Sequence, residues 1–264
     1  MQVSGKVVVV TGGANGIGRA LCEAFHAAGA RAIVVADLDL AGARAVAEQV
    51  GGLAMACDVS SEEAVKALIE DTEAQLGPID LFCSNAGVLA GMDELAENVA
   101  GASDADWRKS WDVNVMAHVY AARALIPRMR ARGSGYFLNT VSAAGVLSAV
   151  GSATYSTTKH AAIGFAESLA ISHRAHGIKV SALCPQAVDT NMLRREAGGP
   201  LVDDGVLSPA EVAQAALAGI DRETFLILPH TKVADYMRVK ADSYDRWIGG
   251  MAKIQAQMRE GAQP

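Results

Sequence analysis

The amino-acid sequence predicts an α/β fold in which a doubly wound parallel sheet of about seven strands carries helices on both faces. Short apolar runs alternate with amphipathic segments of helix length, a pattern typical of strand–helix units joined by right-handed crossovers. The apolar runs are mostly continuous, as expected for strands that helices cover on both sides. The chain has 264 residues without a linker, repeat or low-complexity tract, which favours one domain over residues 1–264.

The elements follow in order along the chain. Apolar runs predict strands at 6–11, 31–37, 53–57, 79–84, 135–141, 178–184 and 225–228. Helical periodicity predicts helices at 16–29, 40–50, 61–76, 103–131, 153–176 and 209–220, and an amphipathic helical stretch from 232 to 260 that breaks at Gly249-Gly250. Ser60 and Glu63 have the spacing of a capping box for the third helix, which Gly77-Pro78 ends. Residues 189–207 are predicted to be a mobile loop.

Composition and charge limit the classes of binding partner and the cellular location that we expect. The net charge of −6 gives no electrostatic reason to expect nucleic acid or an anionic membrane as a partner. The N-terminus lacks the layout of a signal peptide, and no apolar run has the length of a membrane span. All four cysteines lie in apolar segments, and no cysteine or carboxylate completes metal spacing around His173 and His176. The sequence therefore predicts a cytoplasmic protein without a metal.

A glycine-rich turn follows the first strand. Residues 11–18 read TGGANGIG, and such glycines let backbone N–H groups at a helix N-terminus approach a pyrophosphate. Glycines in a strand–helix turn also serve backbone geometry alone. Asp37 follows Gly18 by nineteen residues, where a carboxylate can bind adenosine ribose hydroxyls and repel the 2′-phosphate of NADP. Alternatively Asp37 begins a loop or caps the next helix, a role that Asp39 can also fill. We expect NAD to be preferred over NADP.

A phenol and an ammonium are set one helical turn apart. Tyr155 and Lys159 are four residues apart and Ser142 comes thirteen residues before Tyr155; residues four apart are neighbours on a helix. A tyrosine with a pKa near ~10 is a poor base at neutral pH, and a nearby ammonium favours its phenolate form. Singly, these residues are typical of a packed tyrosine, a solvated lysine and a capping serine. Together, behind a nucleotide turn, they indicate proton transfer.

These motifs, with three further ones, resemble the short-chain dehydrogenase/reductase family over roughly residues 5–190. The order of the glycine turn, Asp37, Cys57-Asp58-Val59, Asn85-Ala86-Gly87, Asn114, Ser142 and Tyr155-x-x-x-Lys159 carries the resemblance. It implies a single-domain Rossmann fold that moves a hydride between a nicotinamide and a carbonyl or alcohol carbon, in a homo-oligomer, either tetramer or dimer. Within the single domain we expect a cofactor half at about 1–135 and a catalytic and substrate-loop half at about 136–230, and the amphipathic pattern predicts a helical C-terminal tail at about 231–264.

The resemblance implies a role for each matching residue. Tyr155 is the general acid/base, Lys159 lowers its pKa and holds the nicotinamide ribose, Ser142 binds the substrate oxygen, and Asn114 holds a water that links Lys159 to solvent. The cofactor-binding positions are Gly12, Asn15, Gly16, Ile17, Gly18, Asp37, Asp58, Val59, Asn85, Ala86, Gly87, Tyr155, Lys159, Pro185, Val188 and Thr190. The substrate-binding positions are Ser142, Ala144, Tyr155, Gln186 and Met192.

The chain departs from the family pattern at three places. Gln186 stands where the family usually has glycine, Ser84 replaces the first asparagine of a turn, and the tail lacks the familiar ending, which puts the usual subunit contacts in doubt. The predicted pocket is apolar with many small side chains, which favours a hydrophobic secondary alcohol or ketone as substrate. An NADP-linked carbonyl reductase and a non-catalytic NAD-binding scaffold or sensor remain as alternatives.

Overall fold

One parallel sheet of seven strands positions everything else. The computed structural model describes residues 1–93, 98–194 and 205–261. Its strands are β1 Val7–Thr11, β2 Ala32–Asp37, β3 Leu53–Ala56, β4 Leu81–Ser84, β5 Gly135–Thr140, β6 Ile178–Leu183 and β7 Leu226–Ile227. All neighbours pair in parallel, in the order β3-β2-β1-β4-β5-β6-β7. The order reverses between β1 and β4, and in such sheets ligands bind in the crevice at that switch point.

Helices cover both faces of the sheet. They are α1 Gly16–Ala27, α2 Leu40–Gln49, α3 Glu62–Leu76, α4 Asp104–Trp111, α5 Ala117–Arg132, α6 Ala153–His173, α7 Asn191–Arg194, α8 Pro209–Asp221, α9 Lys232–Asp242 and α10 Tyr244–Gly261. Side chains of α1, α2 and α8 form one apolar core, and those of α3, α5 and α6 form the other. In β1, Val8 and Val10 enter the first core while Val7 and Val9 enter the second. Both faces are buried, which explains the continuous apolar runs. The predicted fold class is confirmed.

The helices predicted at 61–76 and 103–131 each differ from the structure in one detail. The segment 103–131 is not one continuous helix, because a π turn at Asp112–Met116 separates α4 from α5. The third helix is capped by Ser61 instead of Ser60, since the Ser61 hydroxyl accepts a hydrogen bond from Ala64 N at 3.2 Å. The hydroxyl of Ser60 donates to Asp58 instead, because the helix starts one residue later than predicted.

The C-terminal helical stretch breaks at Ser243, not at the predicted Gly249-Gly250. Ser243 is extended (φ −158°, ψ 101°), its hydroxyl accepts from Arg246 N at 3.3 Å and its carbonyl accepts from Trp247 N at 3.0 Å. Glycine weakens a helix by about 1 kcal/mol but keeps its hydrogen bonds, whereas serine is a strong helix start. Within the predicted loop at 189–207, Asn191–Arg194 form the short helix α7, and residues 195–204 lie outside the described part.

The four cysteines are buried and unpaired with one another, which agrees with their apolar sequence surroundings. Within residues 1–93, 98–194 and 205–261, no helix is long and apolar enough to cross a bilayer. Nor do three or more His, Cys, Asp or Glu side chains come together there as potential metal ligands.

Candidate active site

An open cleft of about 880 Å³ runs along the carboxyl ends of the central strands, a volume typical of small-molecule sites. It brings together nearly all of the predicted site residues. Those that line it are Gly12, Asn15, Gly16, Ile17, Asp37, Asp58, Val59, Asn85, Ala86, Gly87, Ser142, Ala144, Tyr155, Lys159, Pro185, Gln186, Val188, Thr190 and Met192. Gly18 and Asn114 do not line the cleft. Each lies behind the lining residues and makes a structural contact described below.

The glycine turn between β1 and α1 is shaped for close approach. Gly12 has a φ of +65°, and a Cβ there would come within 2.9 Å of the Ala86 Cα. At Gly18 a Cβ would overlap the carbonyl oxygen of Gly12, so this glycine closes the turn instead of touching a ligand. Asn15 stands at the N-cap of α1, but its side chain caps no N–H group of the first turn. These donors therefore remain available at the cleft, and the turn fits a pyrophosphate.

The two neighbouring carboxylates after β2 have different tasks. Asp39 caps α2 by accepting from Gly42 N at 3.0 Å. Asp37 lines the cleft and accepts from Ala14 N and from Asp39 N, each at 3.0 Å. The alternative in which Asp37 caps the helix is therefore excluded, and its carboxylate is held beside the glycine turn.

A hydrogen-bond network joins β1, β4 and β5 under the cleft. The Thr11 hydroxyl accepts from the backbone N–H groups of Asn85 and Ala86 at 3.0 and 3.2 Å. The Asn85 amide donates to Thr11 O at 3.1 Å and accepts from the Thr140 hydroxyl at 3.1 Å. The turn after β4 is thereby held against the glycine turn. Ser84, where the family usually has asparagine, is buried at the end of β4. The network around Asn85 forms with serine at that position.

Asn114 lies in the π turn and is fully buried. Its amide accepts from Val88 N at 3.0 Å and donates to Val88 O at 2.9 Å and to the Thr158 hydroxyl at 3.2 Å. It thus ties α5, α6 and the loop after β4 together. Single π turns inside helices are frequent at functional sites, and the sequence pattern at 103–131 predicted one continuous helix without this turn.

Ser142, Tyr155 and Lys159 meet at one end of the cleft. Lys159 Nζ is 5.5 Å from the centre of the Tyr155 ring and donates to Thr140 O at 3.1 Å. The Ser142 hydroxyl accepts from Ala144 N at 3.1 Å and lies 3.5 Å from Pro185 O. The Ser142 backbone has φ 155° and ψ 158°, a region that costs a non-glycine residue about 1–3 kcal/mol and occurs mostly at functional sites. Helix α6 therefore aligns the phenol and the ammonium as the spacing predicted.

The Lys159 ammonium is almost completely buried, with 2% exposed. Burial lowers its pKa from 10.5 to about 8, because few groups replace the lost hydration. The charged Lys159 side chain therefore lowers the stability of the folded state, yet the fold keeps it beside Tyr155.

The Lys159→Met variant is expected to be more stable than the parent at pH 7. The lowered pKa corresponds to a burial penalty on the order of 3 kcal/mol, from which the lost bond to Thr140 O subtracts about 1 kcal/mol. Since the folded lysine releases its proton near pH 8 and the unfolded one near 10.5, the parent gains stability as the pH rises through that window. Denaturant unfolding should therefore show a larger free energy of unfolding for the variant than for the parent at pH 7, and a smaller difference between the two at pH 10.

Lys66→Met is the control for that comparison, because Lys66 is exposed and only loosely paired with Glu70 at 3.9 Å. Its stability relative to the parent should change little between the two pH values. A Lys159→Met protein that is less stable than the parent at pH 7 would contradict the burial cost.

The cleft also has walls that sequence reasoning missed. Ala105, Arg108 and Lys109 of α4 line it, as does Leu147 after the 3₁₀ turn Ala143–Gly145. The tail supports this wall, since Val233 packs against Ala143 and Leu147. The Lys240 ammonium donates to Val146 O at 3.1 Å and Leu147 O at 2.7 Å. These contacts join segments about ninety residues apart, so no local pattern could have revealed them.

A parallel sheet with a glycine turn at its switch point, and a serine, tyrosine and lysine in the same cleft, defines a nucleotide-binding protein of the doubly wound α/β class. The chain belongs to the short-chain dehydrogenase family, because the family model described as short chain dehydrogenase matches residues 6–198.

Known proteins resemble the chain over much of its length. It is 34% identical over 259 residues to 1-deoxy-11-beta-hydroxypentalenate dehydrogenase of Streptomyces exfoliatus, covering 94% of this chain and 91% of that protein. It is 40% identical over 197 residues to 2,5-dichloro-2,5-cyclohexadiene-1,4-diol dehydrogenase of Sphingobium indicum, covering 74% and 77%. The structure of a short chain dehydrogenase/reductase from Burkholderia phymatum in complex with NAD superposes with a TM-score of 0.83 at 28% identity, covering 93% of this chain and 96% of that one.

Family membership and these dehydrogenases identify the chain as an oxidoreductase that acts on a CH–OH group, with a nicotinamide cofactor and a small-molecule substrate.

Proposed function

We propose that the protein is an NAD-dependent dehydrogenase or carbonyl reductase for a hydrophobic secondary alcohol or ketone. The observation that carries the proposal is the shared cleft, with the glycine turn and Asp37 lining one part and Ser142, Tyr155 and Lys159 lining another. NAD, when bound, supplies the acceptor for a hydride from the alcohol carbon. The chain's own residues bind it, orient the substrate and move the proton.

Tyr155 is the general base in alcohol oxidation and the general acid in ketone reduction. In oxidation its phenolate takes the proton from the substrate hydroxyl, and in reduction its phenol returns the proton to the carbonyl oxygen. The buried Lys159 ammonium, 5.5 Å from the ring, favours the phenolate because opposite charges attract strongly where water is scarce.

Ser142 and Asn114 complete the catalytic set. The Ser142 hydroxyl donates to the substrate oxygen and stabilises the negative charge that develops there. Asn114 holds its place in the π turn by donating both N–H groups of its amide, to Val88 O and to the Thr158 hydroxyl, and by accepting from Val88 N. An amide oxygen has two acceptor positions, so that of Asn114 can also hold a water that relays the Lys159 proton.

The cofactor contacts follow from the cleft. The first-turn N–H groups of α1 take the pyrophosphate, Asp37 takes the adenosine ribose hydroxyls, and Asp58 with Val59 meets the adenine. Thr190 and the backbone of Val188 hold the carboxamide, while Lys159 holds the nicotinamide ribose. The preference for NAD is supported by the carboxylate at Asp37, which would repel the 2′-phosphate of NADP.

The substrate side of the cleft is largely apolar. Besides Ala144, Gln186 and Met192, it includes Leu89, Leu147, Val150 and Leu193. Such a lining favours a hydrophobic alcohol over a phosphorylated sugar. The names of the two dehydrogenases both specify a hydroxylated substrate, one of them a cyclohexadiene diol.

We further propose a cytoplasmic homo-oligomer, either a dimer or a tetramer, that binds neither nucleic acid nor membrane. The net charge of −6 supports the absence of polyanionic partners. The homo-oligomer is the expectation that follows from membership of the short-chain dehydrogenase family.

The test is the near-ultraviolet absorbance of NADH while the purified protein meets NAD and a panel of cyclic, aryl and steroidal secondary alcohols. NADH should accumulate with at least one alcohol, and faster with NAD than with NADP. Tight NAD binding without turnover on the whole panel would instead favour the scaffold or sensor.

A further inference from the structure

His230 lies between β7 and α9 and is buried, with 5% exposed. Its Nδ1 accepts a hydrogen bond from Gln186 N at 3.1 Å. Its Nε2 lies 3.1 Å from Ala187 O, and since a carbonyl can only accept, Nε2 must donate. The ring is therefore a neutral imidazole with its proton on Nε2. One side chain thus spans two consecutive residues of the segment that enters the cleft after β6.

The first of these contacts reaches the Ser142 region through one peptide group. Gln186 N–H and Pro185 C=O belong to the same planar unit. His230 holds the N–H end of that unit, while Ala143 N donates to the Pro185 carbonyl at 2.8 Å. The Ser142 hydroxyl lies 3.5 Å from the same carbonyl. A rotation of this peptide would therefore move the oxygen that the Ser142 loop contacts.

The second contact acts on the stretch towards Thr190. The Ala187 carbonyl also accepts from Leu207 N at 3.1 Å, and Asp189 N donates to Leu207 O at 2.9 Å. The His230 side chain adds one more hydrogen bond, to Ala187 O, beside this small bridge between Val188 and Leu207. It therefore fixes both ends of the turn that carries Gln186 into the cleft.

The backbone of His230 is anchored by the start of the tail. Val233 N donates to His230 O at 3.2 Å as α9 begins, and the fully buried Val233 packs against Ala143 and Leu147. The same segment thus touches the loop after Ser142 through Val233 and the segment after β6 through His230. The two walls of the cleft are joined by a part of the chain that lines neither.

We propose that His230 is a positioning residue for the reaction. As a neutral imidazole it sets the orientation of the Pro185–Gln186 peptide and of the Ala187 carbonyl, and through them the placement of the cofactor and of Ser142. It acts without touching substrate or cofactor. The inference rests on the proposed function, because the segment it orients is the one assigned to the nicotinamide.

The experiment compares His230→Phe, which keeps a ring but loses both bonds, with His230→Asn, whose side-chain oxygen can still accept from Gln186 N. NADH affinity is measured by fluorescence, which needs no substrate, and kcat and KM are measured with the best alcohol of the panel. His230→Phe should lower NADH affinity and kcat/KM by about 10- to 100-fold, as expected for a displaced binding segment. His230→Asn should lose at most about tenfold, since it keeps one of the two bonds.

His173→Phe is the matched control, because it exchanges the same residue types at the end of α6, outside the cleft lining. It should leave all constants at the parent values. Thermal unfolding of each variant separates stability from positioning. If His230→Phe only unfolds earlier, with NADH affinity, kcat and KM unchanged, His230 is merely structural and the inference is overturned. A parent that binds neither NADH nor NADPH would overturn the proposed function, and this inference with it.

Discussion

Tyr155→Phe is expected to lower kcat by about 10²–10⁴-fold, the usual contribution of a general acid or base. The phenylalanine ring keeps the packing of α6 and the contact with the Lys159 ammonium, but it has no hydroxyl to take or return a proton. NADH affinity and the unfolding temperature should stay close to those of the parent. Initial rates of NADH formation with saturating NAD and the best alcohol are the direct measurement.

Tyr120→Phe is the matched control for this change. Tyr120 is half-buried on α5 and lies beside the Arg123 guanidinium, away from the cleft lining, so its hydroxyl should not affect turnover. Activity that survives in Tyr155→Phe at the level of Tyr120→Phe would remove Tyr155 from the reaction. If Tyr155→Phe also unfolds in part, the two variants are compared by kcat per folded molecule. The concentration of folded molecules is then obtained by active-site titration with NADH.

Local patterns were sufficient to predict most of the fold. Strand ends agree with the structure to within two residues, because each strand is a continuous apolar run bounded by turn residues. The exceptions arose where two local preferences compete. At 232–260 the glycines were expected to break the helix, but Ser243 starts α10 through its own hydroxyl and carbonyl. A glycine merely weakens a helix, whereas a capping serine defines where one begins.

The residues predicted for the site come together because they follow the ends of parallel strands. Each parallel strand delivers the residues after it to the same edge of the sheet, so Asp37, Asn85, Ser142 and Gln186 meet there although they are far apart in the chain. The sequence did not predict the contacts that distant segments make with the site. The wall formed by α4 and the contacts of His230 depend on how distant segments pack, and no motif or periodicity encodes that.

Asp37→Ala is expected to shift the cofactor preference towards NADP. In the parent, the Asp37 carboxylate lines the cleft and is held beside the glycine turn by accepting from Ala14 N and Asp39 N, and the proposed binding mode places the adenosine ribose against it. Removing it takes away both a ribose acceptor and a like-charge repulsion, and the repulsion alone is worth several kcal/mol. The ratio of kcat/KM for NAD to that for NADP should fall by about 10²-fold or more, since 1.4 kcal/mol is a factor of ten.

Asp39→Ala makes the comparison decisive, because it removes the same charge only two residues away. Asp39 caps α2 through Gly42 N, so its loss should cost about 1 kcal/mol of stability and leave the cofactor ratio unchanged. Leu38 lines the cleft and is 72% exposed, so Leu38→Arg added to Asp37→Ala should favour NADP further by offering a cation to the phosphate. If Asp37→Ala and Asp39→Ala change the ratio equally, the preference comes from overall charge and not from a contact with the ribose. A parent that already prefers NADP would contradict the assignment of the Asp37 carboxylate to the adenosine ribose hydroxyls.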